Sequence, residues 1–279
     1  MKRIRGWNAL LTGGSRGLGP FIGHALARAG VNLAIAARSL RELEQVAREL
    51  RSNDVRVEAL EADLTVPSER DALVGRAADA LGPIDLLVNN AGMEWVSRFS
   101  IMPPSVIEQM ISLNFAAPAV LTRALLPGML DRGRGHILTL SSLGGKKGSP
   151  YSATYAGTKA ALSAWSAGLR EELRGTGVGA SVVCPGFVSE AGMFAVYRKR
   201  APRIAGESTP DQVATAVLRA IRKDRAEIVV NPGPTRLMFV ADAASPRLMS
   251  WVLRKAGVYD FYREQAKQNE VQLTEGEPR

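Results

Sequence analysis

Three residues near the middle of the chain have the types and spacing needed for proton transfer to a carbonyl oxygen. Tyr155 and Lys159 are four positions apart, so a helix would place both on one face, with the ammonium beside the phenol. A free tyrosine has a pKa of about 10, and a neighbouring cation favours the phenolate and lowers that pKa. Ser142 could hydrogen-bond an oxygen on which negative charge develops. The pattern predicts general acid/base chemistry on a carbonyl or an alcohol.

A glycine-rich turn near the N-terminus predicts the source of electrons. The apolar run 7–11 indicates a buried strand, and the helical pattern 20–29 follows the turn Thr12-Gly-Gly-Ser-Arg-Gly-Leu-Gly19. Glycines in a strand–turn–helix unit let a pyrophosphate approach the backbone at the positive end of the helix. A second strand over 32–37 completes the unit. We therefore predict a dinucleotide site whose turn contributes Gly13, Ser15, Arg16, Gly17, Leu18 and Gly19.

The residues after the second strand indicate which dinucleotide is bound. An NAD site normally has an acidic residue there to hold the ribose 2′-hydroxyl. This chain has Arg38 and Ser39 at that position, and Arg16 lies in the glycine turn. Two guanidinium groups without a carboxylate suit a 2′-phosphate, which predicts a preference for NADP(H) over NAD(H). The alternative is that both arginines are ordinary solvated surface residues.

From residue 7 to about residue 231, the order and spacing of the motifs resemble the short-chain dehydrogenase/reductase family. Any one of these motifs could arise by chance, but the ordered set is specific. The motifs are Thr12-Gly-x-x-x-Gly-x-Gly19, Asp63-Leu64, Asn89-Asn-Ala-Gly92, Asn114, Ser142, Tyr155-x-x-x-Lys159 and Pro185-Gly186.

The resemblance implies a role for each matching residue. The implied catalytic tetrad is Asn114, Ser142, Tyr155 and Lys159, in which Asn114 anchors a water that connects the lysine to solvent. Further cofactor contacts are implied at Asp63, Leu64, Asn89, Ala91, Gly92, Tyr155, Lys159, Pro185, Gly186 and Val188. In the implied reaction, NADPH delivers a hydride to a carbonyl carbon while Tyr155 protonates the oxygen.

Strand and helix signals alternate along most of the chain, which favours a parallel sheet covered on both faces. With the resemblance, the expected fold is α/β, a Rossmann-type doubly wound parallel sheet of about seven strands in a single domain. We predict that residues 1–231 form the catalytic domain. Residues 232–279 are expected to form a helical extension, with one or two short amphipathic helices and a frayed end from residue 264.

Composition narrows the remaining classes of function. The net charge is +9, but the basic residues are scattered and lack a stacking platform of aromatic residues, which excludes a nucleic-acid partner. The two histidines have no clustered ligands, so no metal is predicted. A single cysteine, Cys184, suits a reducing cytoplasm and indicates a buried structural thiol. No signal peptide and no run of about 18 apolar residues is visible, which predicts the absence of a spanning helix.

Two segments are expected to set the substrate. Residues 187–207 resemble a lid and mix the apolar residues Phe187, Met193, Phe194, Val196 and Tyr197 with Arg198, Lys199, Arg200 and Arg203. They favour a small hydrophobic carbonyl or alcohol substrate, although they could simply pack the lid onto the body. The tail after residue 231 could pack on the body, cover a partner subunit or the substrate entrance, or lie on a membrane surface. Whether Lys146 and Lys147 contact the substrate stays open.

Several functions are compatible with these patterns. The leading prediction is an NADPH-dependent carbonyl reductase, or the reverse alcohol dehydrogenase, in the cytoplasm or peripherally on a membrane. Alternatives are a 3-oxoacyl-thioester reductase and a non-catalytic NADP-binding sensor. The resemblance also implies a homo-oligomer, a dimer or a tetramer, assembled through helices that carry residues 105–130 and 155–174.

Overall fold

The computed structural model describes residues 2–193, 201–202 and 205–275, with the backbone alone at residue 236 and over 271–275. The described residues form nine strands and ten α-helices. The strands are Asn8–Thr12 (β1), Asn32–Ala37 (β2), Val57–Glu61 (β3), Leu86–Asn89 (β4), Gly135–Leu140 (β5), Val178–Pro185 (β6), Phe187–Val188 (β7), Glu207–Ser208 (β8) and Glu227–Val230 (β9). The helices are Leu18–Arg28 (α1), Leu40–Arg51 (α2), Pro67–Leu81 (α3), Pro104–Ile111 (α4), Ala117–Asp131 (α5), Ala153–Glu172 (α6), Pro210–Lys223 (α7), Thr235–Ala244 (α8), Pro246–Lys255 (α9) and Val258–Glu275 (α10).

Seven of these strands form one parallel sheet in the order β3-β2-β1-β4-β5-β6-β9, which confirms the predicted doubly wound α/β architecture. Each crossover between parallel strands needs a covering element, so helices lie on both faces. The strand order reverses between β1 and β4, and such a switch point opens a crevice at the carboxyl ends of the strands. Strands β7 and β8 form a separate two-stranded ribbon.

Alternation along the strands divides the core into two layers. Successive side chains of a strand point to opposite faces, so Leu11 of β1 packs with α1, α2 and α7, while Leu10 packs with α3 and α5. Strand β2 behaves in the same way, with Ile35 on the first side and Ala34 on the second. Apolar residues on both faces explain why these strands are near-continuous hydrophobic runs.

One continuous helix differs from the sequence expectation. Helix α4, a π-helical turn over Ser112–Ala116 and α5 run together over 28 residues, so by length and composition this segment could cross a membrane. The prediction of no spanning helix rested on the polar residues that interrupt the apolar run in the sequence, and these residues do not interrupt the helix. Leu121 and Leu125 of this helix pack in the core below the sheet, which is the behaviour of a core helix.

The tail also departs from expectation. Helices α8 and α9 agree with the one or two short helices expected, but a third helix, α10, follows them and continues to Glu275 instead of fraying from residue 264. Tertiary contacts explain the difference: Gln265 and Ala266 are buried. In addition, Asn269 donates a hydrogen bond to the carbonyl of Val96 at 2.8 Å. A polar segment can thus remain helical because the body of the protein holds it.

Candidate active site

The glycine-rich turn joins β1 to α1 at the switch point of the sheet. Gly13 and Gly17 adopt positive φ angles of 67° and 63°, which side chains rarely tolerate. A Cβ atom at Gly19 would lie 2.0 Å from the carbonyl oxygen of Gly13, so only glycine lets the helix pack this closely on the turn. Helix α1 has no side-chain cap and no acidic residue in its first turn. Its free N–H groups therefore present a positive helix end to an anion.

Asn90 fastens the turn to the end of β4. Its side-chain amide donates to the carbonyl oxygens of Thr12 and Gly13, both at 3.0 Å. In return, the Thr12 hydroxyl accepts from the backbone N–H of Asn90 and of Ala91 at 3.1 Å. This network holds the two strand ends on either side of the crevice. Asn90 belongs to the Asn-Asn-Ala-Gly motif, but the residue predicted for the cofactor was its neighbour Asn89.

Charged side chains, among them Arg16, Arg38 and Asp63, lie at the far end of the crevice. Arg16 and Arg38 are exposed there, and neither forms an ion pair with any described residue. Asp63 accepts from the backbone N–H and hydroxyl of Thr65 at 2.9 and 2.7 Å, which fixes its carboxylate at the end of β3. Ser39 has a structural task as well, since it caps α2 by accepting from the N–H of Glu42.

Tyr155 and Lys159 lie one turn apart in the first half of α6, as their spacing predicts. The Nζ atom of Lys159 lies 5.7 Å from the centroid of the Tyr155 ring and donates to the carbonyl oxygen of Leu140 at 2.9 Å. Lys159 is only 3% exposed. Burial lowers the pKa of Lys159 to about 8, and electrostatic interactions with Cys184 and Glu94 oppose the shift. The ammonium is therefore held beside the phenol at a desolvation cost.

Asn114 is fully buried within the π-helical turn between α4 and α5. Its Oδ1 accepts from the N–H of Met93 at 2.8 Å, and its Nδ2 donates to the carbonyl of Met93 and to the hydroxyl of Thr158. A Cβ atom at Gly92 would lie 3.2 Å from Asn114 Oδ1 and 3.4 Å from Lys159 Nζ. Asn114 and Lys159 thus converge on Gly92. A single π turn in a helix often marks a functional site, and here it carries a tetrad residue.

Ser142 lies two residues after the end of β5 and faces the same region. Its hydroxyl accepts from the N–H of Gly144 at 3.0 Å, which leaves the hydroxyl proton available to an outside acceptor. A Cβ atom placed at Gly144 would lie 3.5 Å from Ser142 Oγ and 3.6 Å from Cε1 of Tyr155. The serine hydroxyl and the phenol ring therefore flank one small space.

Glu94 is a site residue that the sequence motifs did not reveal. Its Oε1 accepts from the Ser152 hydroxyl at 2.7 Å, and the side chain borders the crevice. Desolvation raises the pKa of this carboxyl, whereas the Ser152 hydrogen bond and the charge of Lys159 oppose the rise. Although part of Glu94 remains accessible, its carboxylate lies close enough to interact with Lys159. The only available signal was its position two residues after Gly92.

A single cavity of about 2060 Å³ contains these groups. Ligand pockets usually measure about 300–1,000 Å³, so this one has room for a dinucleotide together with a substrate. Among the described residues, all the predicted cofactor contacts border this cavity except Gly19 and Asn89. Gly19 is buried under the turn, and Asn89 is buried within β4. Asn114 lies behind the wall formed by Met93 and Gly92.

The end of β6 and the C-terminal helices form the opposite wall. Pro185, Gly186 and Val188 border the cavity as expected. Phe187 packs edge-to-face on Phe261 of α10, with 5.5 Å between ring centroids. The tail therefore reaches this wall, as expected if it covers the substrate entrance, which is one of the alternatives that the sequence left open. The tail residues that border the cavity are Thr235, Met238, Phe239, Leu253, Val258, Phe261, Tyr262, Gln265 and Asn269.

The structure gives both lysines of the loop after Ser142 a partner. Lys146 pairs with Glu227, and Lys147 donates to Asp242 of α8 at 2.6 Å. Lys147 therefore ties the loop to the C-terminal helices at the edge of the cavity. Several residues of the predicted lid lie outside the described part of the chain. They are Phe194, Val196, Tyr197, Arg198, Lys199, Arg200 and Arg203.

Comparison with known proteins agrees with this geometry. The family model for short chain dehydrogenases matches residues 8–201. The chain is 40% identical over 272 residues to the ketoacyl reductase HetN of a Nostoc species, covering 96% of this chain and 95% of that protein. It is 30% identical to a dehydrogenase/reductase SDR family protein 7-like of Drosophila melanogaster, covering 92% of this chain and 82% of that one.

Solved structures show the same fold. A metagenomic short-chain oxidoreductase in complex with NADP has a TM-score of 0.70 at 31% identity and covers 82% of this chain and 98% of its own. An actinorhodin polyketide ketoreductase variant with NADPH has a TM-score of 0.75 at 28% identity, with coverages of 80% and 95%. Fold and site define an oxidoreductase that acts on a carbonyl or alcohol group. The chain belongs to the short-chain dehydrogenase/reductase family.

Proposed function

We propose that the protein uses NADPH to reduce a carbonyl group on a hydrophobic substrate, through the tetrad Asn114, Ser142, Tyr155 and Lys159. The observation that carries this proposal is the buried Lys159 beside the Tyr155 ring, across a small space from the Ser142 hydroxyl. A buried charge opposes folding, so its presence here is best explained by a reaction that needs it.

The residues around the turn fit NADP(H) better than NAD(H). The uncapped N-terminus of α1 suits the pyrophosphate, and Arg16 and Arg38 have no acidic partner among the described residues. The two residues directly after β2, Arg38 and Ser39, include no carboxylate to hold a 2′-hydroxyl. Two solved relatives contain NADP and NADPH, which supports the same preference.

The reaction follows from the positions of the side chains. When bound, NADPH supplies the hydride that reduces the carbonyl carbon. Tyr155 donates its phenolic proton to the carbonyl oxygen, and Ser142 donates a hydrogen bond that stabilises the negative charge developing there. Lys159 stabilises the resulting phenolate. Asn114 holds the Met93 backbone beside Lys159. The family resemblance supports a further role for Asn114, in which it anchors a water through which the phenolate regains a proton.

The cavity wall favours a lipophilic substrate. Apolar and aromatic side chains from three separate parts of the chain border the cavity that Tyr155 and Lys159 also border, namely Phe187, Met193, Met238, Phe239 and Phe261. Such a lining buries hydrocarbon surface and leaves few polar groups to fix orientation. Assembly as a homodimer in the cytoplasm is part of the same proposal. The exposed Ile111, directly before the π-helical turn, and Leu130, near the C-terminal end of the same helix, are the side chains we assign to that interface.

The first test is NADPH oxidation by wild-type protein and Tyr155→Phe on a panel of ketones, aldehydes, steroids and acyl thioesters. We expect turnover to fall by at least about a hundredfold in the variant, since the proton donor is removed. NADPH affinity, measured by fluorescence titration, should change little. Equal turnover by both proteins would contradict the assignment of Tyr155. Binding without turnover on any carbonyl would favour the non-catalytic sensor instead.

A second test addresses cofactor choice. Arg38→Asp should raise the KM for NADPH by about tenfold or more, because it removes a cation and adds a charge that repels the 2′-phosphate. The KM for NADH should change little or fall. Arg41→Asp is the matched control, since Arg41 is exposed on the first turn of α2 but does not border the cavity. If both variants changed NADPH use equally, Arg38 would have no specific role.

A 3-oxoacyl-thioester reductase is the second candidate. It is favoured by the ketoacyl reductase named among the relatives and by the polyketide ketoreductase fold. The net charge of +9 would also suit an acidic acyl carrier. Turnover of an acyl-carrier thioester with none of free hydrophobic ketones would establish this candidate. The reverse pattern would leave the carbonyl reductase.

A further inference from the structure

Helices α8 and α9 form a helical hairpin whose outer face is apolar. Four large hydrophobic side chains in this hairpin are exposed: Leu237 by 70%, Val240 by 67%, Leu248 by 55% and Trp251 by 57%. Only six further large hydrophobic residues are exposed in the rest of the described chain. Leaving this much apolar surface in water on two short helices is unfavourable and indicates an interaction site.

Helical periodicity places these side chains on the side that faces away from the cavity. In α8, Met238 and Phe239 border the cavity, whereas Leu237, Val240 and Ala244 follow one stripe on the opposite side. In α9, Met249 is buried and Leu253 borders the cavity, whereas Leu248, Trp251 and Lys255 share the opposite stripe. Both faces of the hairpin therefore carry apolar side chains, and only the face toward the cavity is covered.

The charges on the hairpin have one sign on the exposed side. Arg247, Arg254 and Lys255 are exposed, and none of them forms an ion pair with a described residue. The one acidic residue of α8 and α9, Asp242, is held by Lys147 at 2.6 Å. Exposed tryptophan and leucine flanked by unpaired basic side chains are the features of a helix that lies in the interface of an anionic bilayer.

We propose that the outer face of α8 and α9 docks the protein on an anionic membrane surface. A second copy of the chain fits this face less well, because a two-fold interface would bring the same unpaired cations together. An acidic protein partner would satisfy the cations but not the four large apolar side chains. An anionic bilayer satisfies both, since acyl chains receive the leucine and tryptophan while phosphate groups pair with the arginines.

Docking in this orientation also places the cavity next to the lipid. The inner residues Met238, Phe239 and Leu253 border the cavity on the same two helices whose outer residues enter the interface. A lipophilic substrate dissolved in the bilayer would then have a short path to the site. This consequence rests on the proposed function, whereas docking itself does not.

The test is flotation of the full-length protein with vesicles of phosphatidylcholine alone or with about one-third phosphatidylglycerol. We expect binding to the anionic vesicles that weakens with salt, together with a blue shift of tryptophan emission that is lost when Trp251 is replaced. The double variant Leu248→Ser/Trp251→Ser should bind at least tenfold more weakly. Phe99→Ser is the matched control, since Phe99 is 65% exposed outside the hairpin. Circular dichroism and thermal unfolding establish that each variant is folded.

Three results would overturn the proposal. One is the absence of binding to either vesicle. Another is equal binding by the folded double variant and wild type. The third is self-association, or capture by an acidic carrier protein, that the double variant abolishes while vesicle binding is unaffected. Each readout is independent of turnover, so a failure of the proposed reaction and a failure of docking can be told apart.

Discussion

Lys159 is buried, and its positive charge is therefore disfavoured by desolvation. The lowering of its pKa from 10.5 to about 8 means that the folded protein disfavours the ammonium relative to the unfolded chain. That difference corresponds to roughly 3 kcal/mol. Removing the side chain would also remove its hydrogen bond to Leu140, which is worth about 1 kcal/mol. The catalytic group is therefore a source of instability that the rest of the core must offset.

Replacing this lysine should separate stability from activity. We expect Lys159→Met to raise the free energy of unfolding of the cofactor-free protein by about 2 kcal/mol at pH 7, while turnover falls at least a hundredfold. The desolvation penalty of the Lys159 ammonium acts in full below pH 8 and disappears as the pH rises toward 10.5. The stability gained by Lys159→Met should therefore be smaller at pH 10 than at pH 7. Urea denaturation at both pH values measures it. Lys223→Met, at an exposed lysine of α7, should change neither quantity, and a destabilised Lys159→Met would contradict the argument.

At the scale of single residues, the sequence predicts those site residues whose type is required by local backbone or helix geometry. Gly13 could be identified because its turn needs a positive φ, and Tyr155 and Lys159 because one helical turn joins them. Glu94 obeys no such rule: its role depends on Ser152 and Lys159, which reach it only through folding. Lys147 was a plausible substrate contact until its partner Asp242, 95 residues away, was known.

Among the elements, the regular strands were predictable and the irregular helices were not. The predicted second strand, 32–37, matches β2, and the predicted first strand, 7–11, differs from β1 by one residue at each end, because strands buried on both faces leave clear apolar runs. The π-helical turn has no such pattern, since the insertion of one residue is stabilised by the contacts of Asn114. The division into domains at residue 231 stays a prediction.

Helix α10 is held against the body by few polar contacts, which makes one of them testable. Asn269→Ala removes the 2.8 Å hydrogen bond to the Val96 carbonyl and should lower the free energy of unfolding by about 1 kcal/mol. Because Phe261 and Tyr262 of this helix border the substrate end of the cavity, KM for substrate should rise severalfold. The Kd for NADPH should not change. Gln268→Ala, exposed on the same helix, is the control, and a changed NADPH Kd would contradict the placement of α10.

On the scale of the whole molecule, a buried polar network closes the end of the sheet remote from the site. His136 of β5 is fully buried, with Nε2 at 2.9 Å from the Ser181 hydroxyl of β6 and Nδ1 at 3.8 Å from a carboxylate oxygen of Asp224. Arg170 of α6 donates to the same carboxylate at 3.0 Å. Strands β5 and β6 and helices α6 and α7 thus meet around one histidine. The geometry resembles a catalytic triad, but the histidine has no access to solvent.

This network should make the stability of the protein depend on pH in a defined window. Burial lowers the pKa of His136 to about 3, assisted by the charges of Lys2 and Arg170 and opposed by Asp224. Between pH 6.5 and 3, His136 is therefore protonated in the unfolded chain but not in the folded protein. The free energy of unfolding decreases as the pH falls through this range. Asp224 adds little to the pH dependence of stability above pH 4. Burial raises the pKa of Asp224, but the Arg170 hydrogen bond and nearby cations bring it below 3.8, so its own titration changes stability only at lower pH.

The expected loss between pH 6.5 and 4.5 is about 2 to 3 kcal/mol from His136 alone. Guanidinium denaturation of wild type and His136→Gln at both pH values isolates this contribution. The variant should be less stable at pH 7, because a buried contact is disturbed, but its stability should fall less between the two pH values. Equal losses in both proteins would show that His136 is protonated in the folded state. His24→Gln provides the control, since that histidine is partly exposed beside Glu49 and has no buried partner among the described residues.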